Sequence, residues 1–426
     1  MAMQNTMDLS PSPTPSCRLS IRLDGETKTE PDFQRLQSID VTRTELLKHG
    51  AMVDEPPEHI REDDFDYYQS SFPDFERYYS RFIDIDPNRV INKARGGSRR
   101  RASDIIGVGC GLIYATSLLQ VDTRAVSHIP EPPIRQKYMD FQIVCKRGIA
   151  EFEAKGTIND RSVQSRLVDI AAKKKVSSAP VRFGTVTVAR RLSDSAPSYL
   201  VVSDDPPADN SSPDAQEGPR ALRQVMAHYL HYLSFILDSS AYNRFVRQFR
   251  NTDTLVPEVA IKKIGKVLER RGVRYAGEFF DYRLISALIR RYHEPEMTLD
   301  ALFEGMTSKV GRRKLFLGID QRVLELYNGQ SVSSLLKYKH ELTNRETATG
   351  FEFVDRDGVA IFKSMDGADR QIEELFTEAE VRGRLGHYLS YILQEPTACG
   401  APCQGHGIEG KPCEIMTYRG KCHFHR

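Results

Sequence analysis

The sequence predicts a multidomain protein of the mixed α+β and α/β class, with a small α/β core, a mainly helical second domain and a small cysteine-rich C-terminal tail. Three observations predict this organisation. Residues 138–157 alternate apolar and polar side chains as a β-hairpin does, residues 222–237 repeat apolar side chains at helical spacing, and four of the seven cysteines lie in the last 28 residues. The length of 426 residues also exceeds what one hydrophobic core usually organises.

The composition is typical of a soluble protein, with 40% hydrophobic and 28% charged residues. No apolar run approaches the roughly 20 residues of a membrane helix, so the sequence predicts no membrane partner. The N-terminus lacks the basic start and apolar core of a secretory signal, which favours a cytoplasmic location. The sequence leaves the oligomeric state open. The predicted regions are an N-terminal arm (1–66), an α/β domain (67–202), a linker (203–219), a mainly helical domain (220–395) and a tail (396–426).

The N-terminal arm is polar and rich in Pro and Ser at its start, and residues 54–66 hold seven acids against one arginine. This composition predicts an arm that is mostly disordered or loosely docked. Residues 67–92 mix aromatic and charged side chains and predict a helix that ends before Pro87.

Ser103 is the predicted N-cap of a helix over residues 104–119. The three glycines at 107, 109 and 111 do not form a dinucleotide-binding loop, because no strand precedes them and the third glycine is misplaced. They indicate close packing of the helix instead. Downstream, Asn159 or Asp160 is expected to cap a second helix, and strands are predicted over residues 181–189 and 199–202.

The hairpin at residues 138–157 carries the candidate chemistry. A tight turn at Arg147-Gly148 would place Gln142 opposite Glu153 and Asp140 opposite Lys155. One face is then apolar, and the other carries two carboxylates and a lysine within reach of one Mg²⁺ ion. The apolar face comprises Phe141, Ile143, Cys145, Ala150, Phe152 and Ala154. The alternative is a solvated polar sheet face with ordinary cross-strand ion pairs.

A short Gly/Ser-containing segment before this core is strongly basic and has no acid within it. Such a segment suits contacts with the phosphates of nucleic acid, although a solvated loop is the alternative. The candidate nucleic-acid-binding residues are Lys93, Arg95, Arg99, Arg100 and Arg101.

Residues 203–219 are predicted to form a polar linker, and residues 220–344 are predicted to be helical. A hairpin follows over residues 351–363 with its turn at Asp357-Gly358, and then a helix over residues 368–394. The similar heptapeptides HYLSFIL and HYLSYIL in this region indicate two similar core helices rather than a repeat.

The tail has cysteines and a histidine spaced for a tetrahedral Zn²⁺ site, with glycines and prolines that let a short loop wrap the ion. The most plausible ligands are Cys399, Cys413, Cys422 and His425, and the competing candidates are Cys403, His406 and His423. The pattern resembles short treble-like zinc fingers at the ends of phage and bacterial proteins that handle nucleic acid. The alternative is an unmetallated tail with reactive thiols.

Asp140, followed thirteen positions later by Glu153-Ala154-Lys155, on a hairpin succeeded by a helix and a strand, resembles the core of the PD-(D/E)XK nuclease superfamily. The resemblance covers residues 104–191, with Met139 where that family has proline before the acid. It implies a restriction-endonuclease-like core in which Asp140 and Glu153 bind Mg²⁺ and Lys155 orients or deprotonates the attacking water.

In many relatives an acid on the preceding helix adds a ligand, which Asp104 would supply, and a polar residue such as Gln164 on the following helix approaches the site. The sequence therefore predicts a Mg²⁺-dependent endonuclease with DNA as the favoured substrate. The alternative is a noncatalytic adaptor that binds nucleic acid or protein on a nuclease-like scaffold. A cysteine enzyme has little support, because Cys110 and Cys145 fall on predicted apolar surfaces.

Overall fold

The structure, a computed structural model, contains two compact units. Unit 1 contains Met1–Phe280 and Lys314–Ala368, and unit 2 contains Asp281–Arg313 and Asp369–Arg426. The structure describes residues 15–24, 36–50, 81–96, 98–129, 137–145, 148–204, 217–237, 241–242, 244, 246–247, 266–281, 313–329, 332–347, 350–365, 397–398 and 416–417.

A mixed seven-stranded sheet organises the N-terminal half of unit 1. The strands in this half are β1 (Ser16–Leu23), β2 (Ser38–Thr42), β3 (Ile83–Asp86), β4 (Arg89–Asn92), β5 (Val126–His128), β6 (Phe141–Cys145), β7 (Gly148–Thr157), β8 (Val181–Val188) and β9 (Tyr199–Asp204). The sheet order is β2-β1-β9-β8-β7-β6-β5, while β3 and β4 pair separately. Strands β5, β6 and β7 are antiparallel neighbours, and β8 runs parallel to β7.

The helices of this half are α1 (Arg43–Gly50), α2 (Ser98–Leu119) and α3 (Val163–Lys174). Helix α2 crosses β7 so closely that a Cβ on Gly156 would lie 1.7 Å from the carbonyl oxygen of Ser103, and one on Gly107 would lie 2.3 Å from the nitrogen of Gly156. Only glycine permits this approach, which confirms the packing interpretation of the helix glycines. Among the described residues, α2 is the one helix long and apolar enough to span a membrane, yet most of its length is buried in the fold.

Helix α3 covers the opposite face of the sheet. Its Leu167 and Ile170 pack with Val186 and Val188 of β8 in a buried cluster. A Cβ on Gly184 would approach Ile170 to 2.5 Å, so this glycine brings α3 down onto the strand. The sheet therefore has a helix on each face, and both faces of β7 are largely buried.

A six-stranded sheet forms the rest of the described part of unit 1. Its strands are β10 (Lys266–Arg270), β11 (Val273–Asp281), β12 (Arg313–Asp320), β13 (Thr343–Thr347), β14 (Gly350–Val354) and β15 (Val359–Met365), and its helices are α4 (Glu217–Ile236), α5 (Gln321–Asn328) and α6 (Val332–Lys337). The order is β10-β11-β12-β15-β14-β13. In unit 2, β16 (Thr397–Ala398) pairs with β17 (Met416–Thr417).

The described part of the N-terminal arm is ordered, contrary to the prediction. Strand β1 alternates buried and exposed side chains, with Cys17 and Leu19 fully buried, and it pairs with β9. Helix α1 begins with a capping box in which Glu45 accepts hydrogen bonds from the backbone and hydroxyl of Thr42 at 3.1 and 2.7 Å. The alternating burial along β1 and the capping box of α1 therefore stabilise these two elements, although the arm is polar in composition. The acidic residues 54–66 lie outside the described residues.

Two other element predictions are wrong where the structure describes them. Residues 83–92 form the β3–β4 hairpin around Pro87 and Asn88, because the isoleucines at 83 and 85 alternate with half-exposed aspartates. The region predicted to be helical over residues 220–344 contains β10 to β13. In the β10–β11 hairpin, Arg271 and Gly272 have φ values of +53° and +76°, which is the turn signal that the helical interpretation overlooked.

Several predicted elements are confirmed. Asn159 caps the turn before α3 through a hydrogen bond from the nitrogen of Arg161, and β8 and β9 lie where strands were predicted. The β14–β15 hairpin turns at Asp357-Gly358, where Gly358 has a φ of +83°. Helix α2 starts at Ser98, so Ser103 is inside the helix and accepts a hydrogen bond from Asn92 at 3.0 Å instead of capping it.

Two further predictions concern the linker over residues 203–219 and the helix over residues 368–394. The linker prediction over 203–219 is wrong at both ends, because Ser203 and Asp204 close β9 and residues 217–219 begin α4. The predicted helix over residues 368–394 lies outside the described residues.

Candidate active site of carboxylates and lysines

The β6–β7 hairpin brings the predicted carboxylates closer together than the predicted register does. Gln142 pairs with Glu151 and Cys145 with Gly148, so the register is shifted by two residues and the predicted pairing is wrong. Side chains keep their faces because a two-residue shift preserves the alternation. Continued beyond β6, the observed register sets Asp140 opposite Glu153, and the nitrogen of Asp140 donates to Glu153 Oε2 at 3.1 Å.

Both carboxylates bind the same ammonium group. Lys173 Nζ lies 2.9 Å from Asp140 Oδ1 and 2.6 Å from Glu153 Oε1. Lys155 forms an ion pair with Glu153 and lies 3.9 Å from Asp140 Oδ2. The predicted trio therefore converges, and Lys173 of α3 joins it as a fourth member.

The carboxylates differ in their environment. Glu153 is fully buried, whereas Asp140 is 31% exposed. Burial and the neighbouring charge of Asp140 raise the pKa of Glu153 to about 7, against the opposing effects of Lys155 and Lys173. One carboxylate thus faces solvent while the other is held in the interior by two ammonium groups.

Helix α3 supplies the residues that the sequence interpretation missed. Asp169 and Lys173 are four residues apart and share a face of the helix, and Asp169 Oδ2 lies 3.9 Å from Lys155 Nζ. At the rim, Lys137 pairs with Asp169 at 3.2 Å. The i, i+4 spacing of Asp169 and Lys173 was the available signal, but only the docking of α3 shows where that face points.

The predicted role of Gln164 does not fit the orientation of α3. Nine residues separate it from Lys173, which corresponds to about 180° around an α-helix. Gln164 is exposed, and Lys173 is directed at the carboxylates. Its predicted approach to the site is therefore wrong in this conformation.

Asp104 lies on α2 near the crossing with β7. Burial raises the pKa of Asp104, while Arg166, Arg100 and Lys155 oppose this shift and Asp140 reinforces it. The carboxyl group is thus within electrostatic reach of the cluster. Asp104 forms an ion pair with Arg100 at 3.9 Å, and among the described residues no hydrogen bond joins it to Asp140 or Glu153.

The predicted basic segment lies at the start of α2, on the same side of the sheet as Asp104. Lys93 is neutralised by Asp84 at 3.2 Å, and the Arg99 side chain turns back to the carbonyl of Ala94. Arg95, Arg100 and Arg101 are exposed. Their charge adds to the positive potential of the helix N-terminus.

The donor set suits a divalent cation, because two carboxylate oxygens already converge on one cationic nitrogen. Asp140 and Glu153 would hold the ion. Mg²⁺ in proteins commonly has one or two carboxylate ligands and retains several waters. Within the described parts of the chain, no group of three or more His, Cys, Asp or Glu side chains is placed to hold a metal ion. The predicted zinc ligands Cys399, Cys413, Cys422 and His425 lie outside the described residues.

A second ionic cluster lies where α1, α4 and the β14–β15 turn meet; we call it the buried network. Asp357 Oδ2 accepts from Lys48 at 2.5 Å, His228 at 2.6 Å and Thr123 at 3.2 Å, while Oδ1 accepts from the nitrogen of Val359 at 3.0 Å. Lys48 also pairs with Asp355. Burial raises the pKa of Asp357, but Lys48 and His228 lower it well below its usual value.

No family model, curated protein or solved structure matches the chain.

Proposed function

We propose that this chain is a metal-dependent nuclease that hydrolyses phosphodiester bonds, with DNA as its favoured substrate. The observation that carries the proposal is the convergence of Asp140 Oδ1 and Glu153 Oε1 on one ammonium nitrogen, with Lys155 alongside. A helix, an antiparallel meander, a second helix and a strand parallel to the third strand of the meander surround this site. That order supports the resemblance to PD-(D/E)XK nucleases.

Each residue has a distinct role in this proposal. Asp140 and Glu153 hold a cation that would neutralise charge on the scissile phosphate and activate a water molecule. Lys155 orients that water, since its ammonium group has donors beyond the one that Glu153 uses. Without the metal, Lys173 holds the two carboxylates together at the position that the cation would take, and the exposed arginines at the start of α2 bind flanking phosphates.

The test is cleavage of supercoiled, linear and single-stranded DNA by the full chain with Mg²⁺, Mn²⁺ or chelator. Glu153→Gln and Lys155→Met should each lower the Mg²⁺-dependent rate at least about a hundredfold, the scale of a lost charge-stabilising or acid–base group. Glu151→Gln is the matched control, because Glu151 lies two residues nearer the turn on the same face of β7 and pairs with Gln142. Cleavage that survives in both variants would refute the proposal.

A noncatalytic nucleic-acid-binding or protein adaptor is the second candidate function. It is favoured by the burial of Glu153 and by the ion pair of Lys155, which is only 19% exposed. In that case the cluster stabilises the sheet, and DNA binds in a salt-dependent way without turnover. Binding by the wild-type chain with no cleavage under any metal condition selects this function.

We also infer that the tail holds a structural Zn²⁺ ion through Cys399, Cys413, Cys422 and His425. The pairing of β16 with β17 supports this, because it joins the chain just before Cys399 to the chain just after Cys413. The purified protein should contain about one equivalent of zinc, and Cys413→Ser should lose it while the cleavage site keeps its Mg²⁺ dependence. Retention of zinc by that variant would exclude this ligand set.

A further inference from the structure

A cleft of about 770 Å³ lies where α2, α4 and the loops of the six-stranded sheet meet. Its walls come from the end of α2, the turn at Thr123–Ala125, helix α4, and the segments that carry Lys339 and Arg356. The volume falls within the range of small-molecule sites, about 300–1,000 Å³. None of the carboxylate and lysine residues of the candidate active site lines it.

The cleft carries excess positive charge. Three cationic side chains and one carboxylate line it, and Asp122 neutralises Arg124 through hydrogen bonds of 2.9 and 2.6 Å. Two further guanidinium donors of Arg124 bond the carbonyls of Leu335 and Tyr338, both at 2.7 Å. Arg124 is therefore part of the wall, and its charge is used within the protein.

Lys339 and Arg356 are the other two cationic residues that line the cleft. Both are exposed, and neither side chain pairs with a carboxylate in the structure as described. They emerge from adjacent chain segments, because the nitrogen of His340 donates to the carbonyl of Arg356 at 2.8 Å. Arg356 also acts at longer range on Glu45, whose pKa it lowers against a larger effect of burial. Two unpaired cations at one rim favour an anionic ligand.

The other walls indicate that the ligand has an organic part. Val121, Val144 and Val225 supply apolar surface, and Ser117 and Gln224 supply polar groups. Gln224 is held in place because its amide nitrogen donates to the carbonyl of Ala125. We propose that this cleft binds a small phosphate-bearing organic molecule of the nucleoside diphosphate class, with Lys339 and Arg356 contacting the phosphate oxygens.

The test is calorimetric titration of the full chain with ADP at low salt in the presence of a chelator, so that metal at the candidate active site plays no part. Wild-type protein should bind one equivalent saturably. Lys339→Gln and Arg356→Gln should each weaken binding about tenfold, as expected for one lost charge-assisted contact to phosphate. Ser117→Trp should block the cleft without removing a charge.

Lys337→Gln is the matched control, because this exposed lysine is two residues from Lys339 and does not line the cleft. Inorganic phosphate should compete more weakly than ADP, since it lacks the apolar contacts. The proposal is overturned if ADP does not saturate, if the control loses as much affinity as the cleft variants, or if phosphate competes equally well. Displacement of ADP by a single-stranded oligonucleotide that depends on Lys339 and Arg356 also overturns it, because the cleft would then be a groove for a polymer.

Discussion

The candidate active site and the buried network use the same kinds of residues but differ in access to solvent. In the buried network Lys48 and Asp357 are fully buried, and both carboxylate oxygens of Asp357 have hydrogen-bond donors. In the candidate active site Asp140 is 31% exposed and Asp169 is 40% exposed, so one side of the cluster faces solvent. A closed, fully bonded cluster stabilises the fold, whereas a cluster that is open on one side is accessible to a ligand.

The clusters also differ in what they connect. The buried network joins residues more than 300 positions apart, from α1 to the β14–β15 turn. The candidate active site joins one hairpin to the helix that follows it. Disruption of the buried network should therefore lower the stability of unit 1. Disruption of the candidate active site should mainly affect catalysis and the pH dependence of stability.

The largest expected effect is the loss of stability in Lys48→Met. This change leaves Asp355 and Asp357 in the interior without their ammonium partner, which typically costs about 3–5 kcal/mol of unfolding free energy. Urea unfolding followed by circular dichroism measures it. Lys93→Met is the control, because its ion pair with Asp84 is exposed and is expected to contribute less than about 1 kcal/mol. Equal losses in the two variants would contradict the distinction between the clusters.

The stability of the fold should depend on pH, because a titratable group at each cluster changes its contribution to stability in the opposite direction as pH rises. The pKa of Glu153 rises from 4.5 to about 7 on folding, so its contribution to stability is complete below pH 4.5 and is lost as pH rises to 7. Burial lowers the pKa of His49, beside the buried network, from 6.5 to about 4. Its contribution is complete above pH 6.5 and is lost as pH falls to 4.

Each shift corresponds to on the order of 3 kcal/mol, and the two contributions oppose each other between pH 4.5 and 6.5. Glu153→Gln should therefore become more stable as pH rises through this window, and His49→Gln should become less stable. Unfolding in urea at several pH values measures both slopes, and the double variant should be flatter than either single variant. If Glu153→Gln follows the wild-type curve, the carboxyl group is not titrating in the folded protein as the cluster geometry implies.

The sequence carried enough information for the faces of the hairpin but not for its register. Apolar residues at 141, 143, 150 and 152 determine which side chains share a face, and a two-residue slip leaves that pattern intact. The predicted trio was therefore brought together despite the wrong pairing. Lys173 could not be assigned from spacing alone, since its position depends on how α3 docks on Gly184.

The second sheet shows a different kind of limit. The apolar spacing predicts α4 correctly, but the predicted helical region also includes residues 266–281, where Arg271-Gly272 forms a hairpin turn. The residues of a turn determine the local structure there, even where the neighbouring segment has helical spacing of its apolar residues. The sequence does not predict the buried network, because Lys48 and Asp357 are far apart in the chain and no local pattern links them.

The smallest expected effect on stability comes from Arg100→Gln, at the edge of the candidate active site. Arg100 is 85% exposed and its ion pair with Asp104 is long, so unfolding free energy should change by less than about 0.5 kcal/mol. DNA affinity should fall, and the slope of log K against log salt should decrease by about one if the guanidinium contacts a phosphate. Fluorescence anisotropy with a labelled duplex at several salt concentrations measures this slope.

Arg322→Gln, which changes an exposed arginine at the start of α5, is the control that should keep the wild-type slope. An unchanged slope in Arg100→Gln would show that the start of α2 lies outside the DNA path, and the open cluster would then lack the basic flank that distinguishes it from the buried network.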